Sequence, residues 1–244
     1  MDLSRIISVL DEHYSRNDTA GAERHLLYWL EELGGSPREE LALLNECIGF
    51  YRKKGTWEQT SPYIDRALAL ADSGVTDPTA RGTTFINAGT ACVRFSGKGK
   101  DALLDTALEC FEKARLIYER ELTPDDVRLG GLYNNLATAL AKSGDNTAAR
   151  EYFDRALAVM KNAPGGGLEV AVTLLNISDI LDPFDPENDT LLEEARVLLD
   201  EWAGEKDGYY AFVCDKCADA FEGHGYFRFA SELRRRAGSI YERS

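Results

Sequence analysis

Residues Tyr133 to Ala156 read YNNLATALAKSGDNTAAREYFDRA, and the rest of the chain varies on this stretch. Between Tyr133 and Ala141, small and apolar residues (Leu136, Ala137, Leu140) return at helical spacing. Ser143-Gly144-Asp145-Asn146 then interrupts the pattern with turn chemistry. Ala149, Phe153 and Ala156 follow, spaced by four and three, so they share one face of a second helix. The stretch predicts two helices set back to back around one tight turn.

Outward from Asn134, matching positions are Ile7, Asn45, Asn87, Asn176 and Asp215, and successive anchors lie 38, 42, 47, 42 and 39 residues apart. Six helix pairs fit this frame, at about 2–34, 36–74, 77–122, 124–164, 166–204 and 207–243. Second helices bring Ala107, Phe111 and Ala114, or Thr60, Ile64 and Ala67, into the places of Ala149, Phe153 and Ala156. Ala22, Leu26 and Trp29 in the first pair and Ala195, Leu199 and Trp202 in the fifth do the same, and the last helix puts Arg234 in the place of Phe153. Ser36-Pro37-Arg38-Glu39 reads as a Ser N-cap with Pro in the first turn and Glu three residues on. Asp77-Pro78 and Thr123-Pro124-Asp125-Asp126 open the third and fourth pairs, and Gly165-Gly166-Gly167 reads as a helix stop. Turn insertions are expected around Lys98 to Asp101 and at Asp182-Pro183-Phe184-Asp185-Pro186.

This alternation of small and large apolar residues around a Gly turn resembles the tetratricopeptide repeat (TPR) family. It is most similar to the longer, kinesin-light-chain-like repeats, through the NNLA that begins at Asn134 and the DRAL that begins at Asp154. Standard TPRs repeat every ~34 residues, so the intervals here imply longer helices and looser turns. The resemblance implies an all-α, right-handed TPR superhelix (an α-α solenoid) of about six helix pairs, running as a single solenoid over residues 1–244. It further implies a protein- or peptide-binding module, with the first helix of each pair lining a concave groove.

Charge narrows the partners. Asp and Glu number 42 against 28 Lys and Arg, a net charge of −14, which opposes nucleic-acid binding. The segment after Met1 lacks a basic start and a sustained apolar core, so no signal peptide is expected. No stretch approaches the ~18 apolar residues that span a bilayer. A soluble cytoplasmic protein without a membrane partner is the expectation. Five cysteines, an odd number without disulfide-type spacing, read as reduced thiols.

Neither an enzyme nor a cofactor is expected. His13, His25 and His224 lie in the terminal pairs, and His13 occupies a core-frame position. Gly97-Lys98-Gly99-Lys100 lacks P-loop spacing. Cys214-x-x-Cys217 lacks two further zinc ligands. The aspartate-rich turn Asp182 to Asp189 lacks the Gly and closing Glu of a calcium loop.

If the first helices line a groove, its residues lie three, four or seven positions from the anchors. Four consecutive pairs carry Asn there (Asn45, Asn87, Asn134, Asn176), although Asn is a mediocre helix former. Each carboxamide offers donors and an acceptor, suited to the N–H and C=O of an extended peptide. Small neighbours such as Gly49 and Gly131 would let that backbone come close. By resemblance to peptide-binding TPR proteins, the expected site is this asparagine ladder, with Arg52 and Arg94 anchoring a carboxylate and Arg38, Thr138 and Asp215 beside it. Asp219 and Glu222 extend the acidic end, and Asp179 falls nearby. The alternative is that the asparagines bond between helices and the charges are merely solvated.

Two other functions fit the same fold. One is a scaffold or self-association module using the convex face or terminal repeats, with Trp29, Trp57 or Trp202 at a homodimer contact. The other is a peptide-sensing regulator of a partner protein. Arg234-Arg235-Arg236 reads as the solvating outer face of the last repeat.

Overall fold

The computed structural model describes residues 2–32, 36–97 and 101–242. Among these, twelve α-helices and no strand form six successive pairs. They are α1 (Leu3–Ser15) with α2 (Thr19–Glu32), α3 (Pro37–Lys54) with α4 (Trp57–Asp72), and α5 (Pro78–Phe95) with α6 (Ala102–Glu121). Then come α7 (Val127–Ser143) with α8 (Asn146–Met160), α9 (Gly167–Ser178) with α10 (Glu187–Asp200), and α11 (Gly208–Gly223) with α12 (Phe227–Tyr241). The all-α TPR fold expected from the repeat frame is present. Lys98 to Lys100 of the expected insertion, and the end of the first pair at Gly34, lie outside the described residues.

Two compact units divide the chain, Met1–Glu121 and Leu122–Ser244. In unit 1, α3 packs on both α4 and α5, α2 packs on α3, and α4 packs on α5. In unit 2, α9 packs on α7, α8, α10 and α11. First helices thus touch first helices, and each second helix fills the space behind.

The cores follow from the repeated Ala-ring-Ala face. Ala107, Phe111 and Ala114 are buried in α6, and Ala149, Phe153 and Ala156 are buried in α8. Opposite these second helices stand glycines. A Cβ on Gly89 would lie 2.8 Å from the Phe111 ring, and one on Gly130 would lie 2.6 Å from the Met160 methyl. A Cβ on Gly82 would strike the Tyr118 ring. These helix-interior glycines, each disfavoured by ~1 kcal/mol against Ala, are kept for close approach.

Helix starts account for much of the acidity. Asp2, Asp18, Asp77, Asp101, Asp126, Asp145 and Asp207 each accept a backbone N–H at the start of a helix. A carboxylate there satisfies an orphan donor and meets the positive end of the helix dipole. Gly55 and Gly144 close α3 and α7 in the left-handed region, at φ 77° and 91°.

Three sequence expectations shift. Ser36 precedes α3, but its hydroxyl makes no capping bond, because Pro37 supplies the preset first turn instead. α7 starts after Asp126, not at Thr123-Pro124, because the Asp126 carboxylate takes both the N–H and the guanidinium of Arg128. In α12 the buried face is Ala230, Leu233 and Ala237, so Leu233 takes the place assigned to Arg234. Arg234 instead reaches back to Asp219 and Glu222 of α11. The residues before α9 form successive hydrogen-bonded turns, with Gly165 at φ 75°, as a helix stop requires.

All five cysteines are buried. Burial pushes the thiols of Cys47, Cys110 and Cys217 up to about 12 and that of Cys92 up to about 11. They pack as small apolar groups.

Phe153→Ala should cost roughly 3–5 kcal/mol of stability in urea denaturation, because it empties the centre of the α8 face. A loss under ~1 kcal/mol would contradict the packing described.

Candidate functional site

Each unit contains one asparagine pair, joined in both by an amide-to-carbonyl bond. In unit 1, Thr84 Oγ1 gives its proton to the Ala80 carbonyl at 3.0 Å. It can then accept from Asn45 Nδ2 at 2.9 Å, while Asn45 also donates to the Leu41 carbonyl at 3.0 Å. With both N–H groups committed, Asn45 turns Oδ1 toward Asn87, whose Nδ2 donates to it at 3.0 Å. In unit 2, Asn176 Nδ2 donates to Asn134 Oδ1 at 3.1 Å. Thr173 Oγ1 lies 3.3 Å from that oxygen and 2.8 Å from the Glu169 carbonyl. Asn45 to Asn134 and Asn87 to Asn176 are both separations of 89 residues, so the arrangement repeats every two helix pairs.

The four asparagines therefore divide into two kinds. Asn45 and Asn134 are inner residues, each accepting through Oδ1 from the outer asparagine; Asn134 is buried, and Asn45 is fixed by Thr84 on the next first helix. Asn87 and Asn176 are outer residues, half-buried, each held by a single N–H bond. Each outer carboxamide keeps its second N–H and its oxygen without a partner among the described residues. Thr138 bonds back to the Asn134 carbonyl at 2.8 Å and leaves its methyl beside the pair.

Glycines separate packing from surface roles. Gly49 and Gly131 sit on the asparagine faces of α3 and α7, and nothing lies within 4 Å of a Cβ built on either. Unlike Gly82, Gly89 and Gly130, neither is explained by a neighbouring ring or methyl. Their effect is to leave open space beside Asn45 and Asn134.

The charged candidates are not equivalent. Arg52 follows Asn45 by seven residues, Arg94 follows Asn87 by seven, and neither contacts a carboxylate among the described residues. Burial and the neighbouring Arg94 charge push the Arg52 guanidinium below its ordinary value. Neither arginine has a counter-ion among the described residues, and the two charges repel. Arg38 stands elsewhere. It lies ~20 Å from Arg52 along α3 at 1.5 Å per residue, in a depression shared with Asp2, Asp11 and Glu39.

In unit 2 the outer asparagine stands between two clefts. One, of about 460 Å³, has Thr138, Ala141, Phe153 and Ile180 in its walls and reaches Asn176 and Asp179 from the α7 side. The other, of about 480 Å³, reaches the same two residues from the α11 side, with Leu175, Leu181, Lys216 and His224 around it. Ser178 Oγ donates to Asn188 Oδ1 at 2.6 Å, so it accepts from His224 Nε2–H at 3.1 Å. The same imidazole nitrogen is 3.5 Å from Asp179 Oδ1.

Expected and observed acids differ here. Asp219 and Glu222 are engaged by Arg234 and so are not free acids beside Asn176. Asp215 faces Tyr241 of α12, whose phenol is pushed up by burial and by that carboxylate. Asp179 is the acid that borders both clefts. Glu169, seven residues before Asn176, was not singled out by the sequence. Burial holds both carboxyls above the ordinary range, only partly offset by Lys216 and, for Asp179, by His224. The signal that could have found Glu169 is its place on the face of Thr173 and Asn176.

The remaining candidates make contacts close to their own helix pairs. His13 bonds to Asp18, the cap of α2, and His25 bonds to the Ile6 carbonyl. Trp57 packs edge-on against Phe95, and Trp29 packs against Tyr28. Trp202 donates to the Glu205 carbonyl. Among the described residues no group of three His, Cys, Asp or Glu is placed to hold a metal ion, and no helix is long and apolar enough to cross a membrane.

Residues 128–182 match the family model of the tetratricopeptide repeat. No curated protein matches the chain by sequence. Among solved structures, BtubC (BKLC) from P. vanneervenii is similar with a TM-score of 0.54 and 16% identity, over 99% of this chain and 92% of that one. A kinesin-light-chain-type protein of nearly identical TPR-like repeats from P. anserina gives 0.52 at 15% identity, over 83% and 95%. The apo quorum sensor NprR from B. thuringiensis gives 0.61 at 13% identity, over 99% of this chain but 65% of NprR. At such identities the likeness establishes fold. Residues 128–182 thus carry the tetratricopeptide repeat signature, and the six helix pairs share their fold with solved repeat proteins.

Proposed function

We propose that each unit binds an extended peptide segment of a partner protein through its outer asparagine, Asn87 in one unit and Asn176 in the other. Tetratricopeptide repeats are protein-binding modules, and the observation that carries the finer reading is the division of the four asparagines. Each inner residue, Asn45 and Asn134, spends its carbonyl oxygen on the outer residue, Asn87 or Asn176. Each outer residue then presents one N–H and one C=O, the complement of a peptide unit. Preorientation of the outer amides on the Asn45 and Asn134 oxygens lowers the ordering cost of binding. Gly49 and Gly131 leave room for a main chain to approach. Arg52 and Arg94 receive a carboxylate of the ligand, relieving the repulsion between them.

A displayed library of linear peptides tests this reading. Wild-type protein should enrich peptide families that bind Asn87→Ala or Asn176→Ala about tenfold or more weakly, since each loses two hydrogen bonds of about 1 kcal/mol. Thermal unfolding should show both variants as stable as wild type within ~1 kcal/mol. Equal binding by the double variant, or no enrichment by wild type, would refute the site.

Gly49→Ala and Gly131→Ala give an independent check with opposite signs for folding and binding. Each should stabilise its helix by up to ~1 kcal/mol, because Ala replaces Gly in open space. Each should also weaken the enriched peptides by obstructing the main chain. A stabilised variant that binds normally would show that the ligand does not pass there.

A further inference from the structure

We infer that the cleft between α9 and α11 is a side-chain subsite for a lysine or arginine of the bound peptide, adjacent to the residue whose backbone Asn176 grips. The inference rests on the peptide reading and adds the chemistry of one ligand position. Asn176 stands at the rim of the cleft, so a main chain held there projects a neighbouring side chain into it. Val172, Leu175, Leu181 and Ala220 form apolar walls that suit a methylene stem, as long basic side chains require.

Charge decides which head group fits. Four groups face the cleft: Asp179, Asp219, Lys216 and His224. Asp219 is held at 2.9 Å by Arg234, which it shares with Glu222. His224 Nε2–H is directed to Ser178 at 3.1 Å and reaches Asp179 only at 3.5 Å. Lys216 lies within Coulomb range of both Asp179 and Glu169 but forms no ion pair with either. Asp179 therefore has the His224 imidazole beside it at 3.5 Å and no ion pair with a lysine or arginine among the described residues. Its side chain is 55% exposed, yet it is crowded enough for its charged form to be disfavoured. A ligand ammonium or guanidinium would supply the missing cation. A ligand carboxylate would meet the Asp179 and Asp219 carboxylates on the cleft wall, where Lys216 is the one lysine.

Lys216 then acts as a competitor, which gives the test a sign. From the peptides enriched on wild-type protein, a synthetic peptide carrying Lys at the selected position is compared with its norleucine analogue by fluorescence anisotropy. Norleucine should bind about tenfold or more weakly to wild type, as expected for losing a charged partner. Asp179→Asn should bind both peptides alike, and Lys216→Met should bind the Lys peptide more tightly than wild type does. Enriched peptides without a basic position, or a Lys preference that survives in Asp179→Asn, would overturn the subsite while leaving the asparagine reading standing. Weaker binding of the Lys peptide by Lys216→Met would also overturn it, since Lys216 would then be a contact. Failure to enrich any peptide would remove both readings together. Unchanged thermal unfolding of both variants separates these results from loss of fold.

Discussion

Close approach between the helices of a pair depends on first-helix residues without a side chain. Gly89 lies under the Phe111 ring, Gly82 under Tyr118 and Gly130 under Met160, and a methyl at any of them would collide with a buried group. Helix propensity argues against Gly at all three positions, so packing overrides it. With second-helix rings seated there, α3 can lie against α5, and α7 against α9. Only at that separation can Asn45 reach Thr84 and Asn87, or Asn134 reach Thr173 and Asn176.

The asparagine pairs join the two candidate explanations of the ladder. Bonding between helices and bonding to a ligand are both available to this geometry, at different residues. Asn45 spends its donors inside the protein, and Asn87 keeps half of its carboxamide at the surface. An isolated Asn on a helix would sample several rotamers. One tied to a neighbour at 3.0 or 3.1 Å presents its remaining groups in a fixed direction.

The sequence displayed the fold plainly because the Ala-ring-Ala face recurs and each turn contains small or turn-forming residues. It was less legible where one residue of register matters. Arg234 and Leu233 are adjacent, and the choice of which turns inward depends on Asp219 and Glu222 waiting on α11. The same contacts removed two acids from the expected site, a fact that no spacing along one helix encodes. The Ser178–Asn188–His224 network joins residues from three successive helical regions, up to 46 positions apart. The Asn faces were readable from intervals. The division into inner and outer residues was not, because it depends on which asparagine of each pair donates across the helices.

The buried thiols have a consequence for observing the molecule in motion. Cys47, Cys92 and Cys110 belong to one unit, and Cys214 and Cys217 to the other. With thiols buried and pushed upward, alkylating or exchanging reagents find almost no thiolate while the helices stay closed. Reaction must wait for local opening, so the modification rate at each cysteine reports the breathing of the helices around it. The chain carries separate, native clocks for its two halves, with no label to introduce.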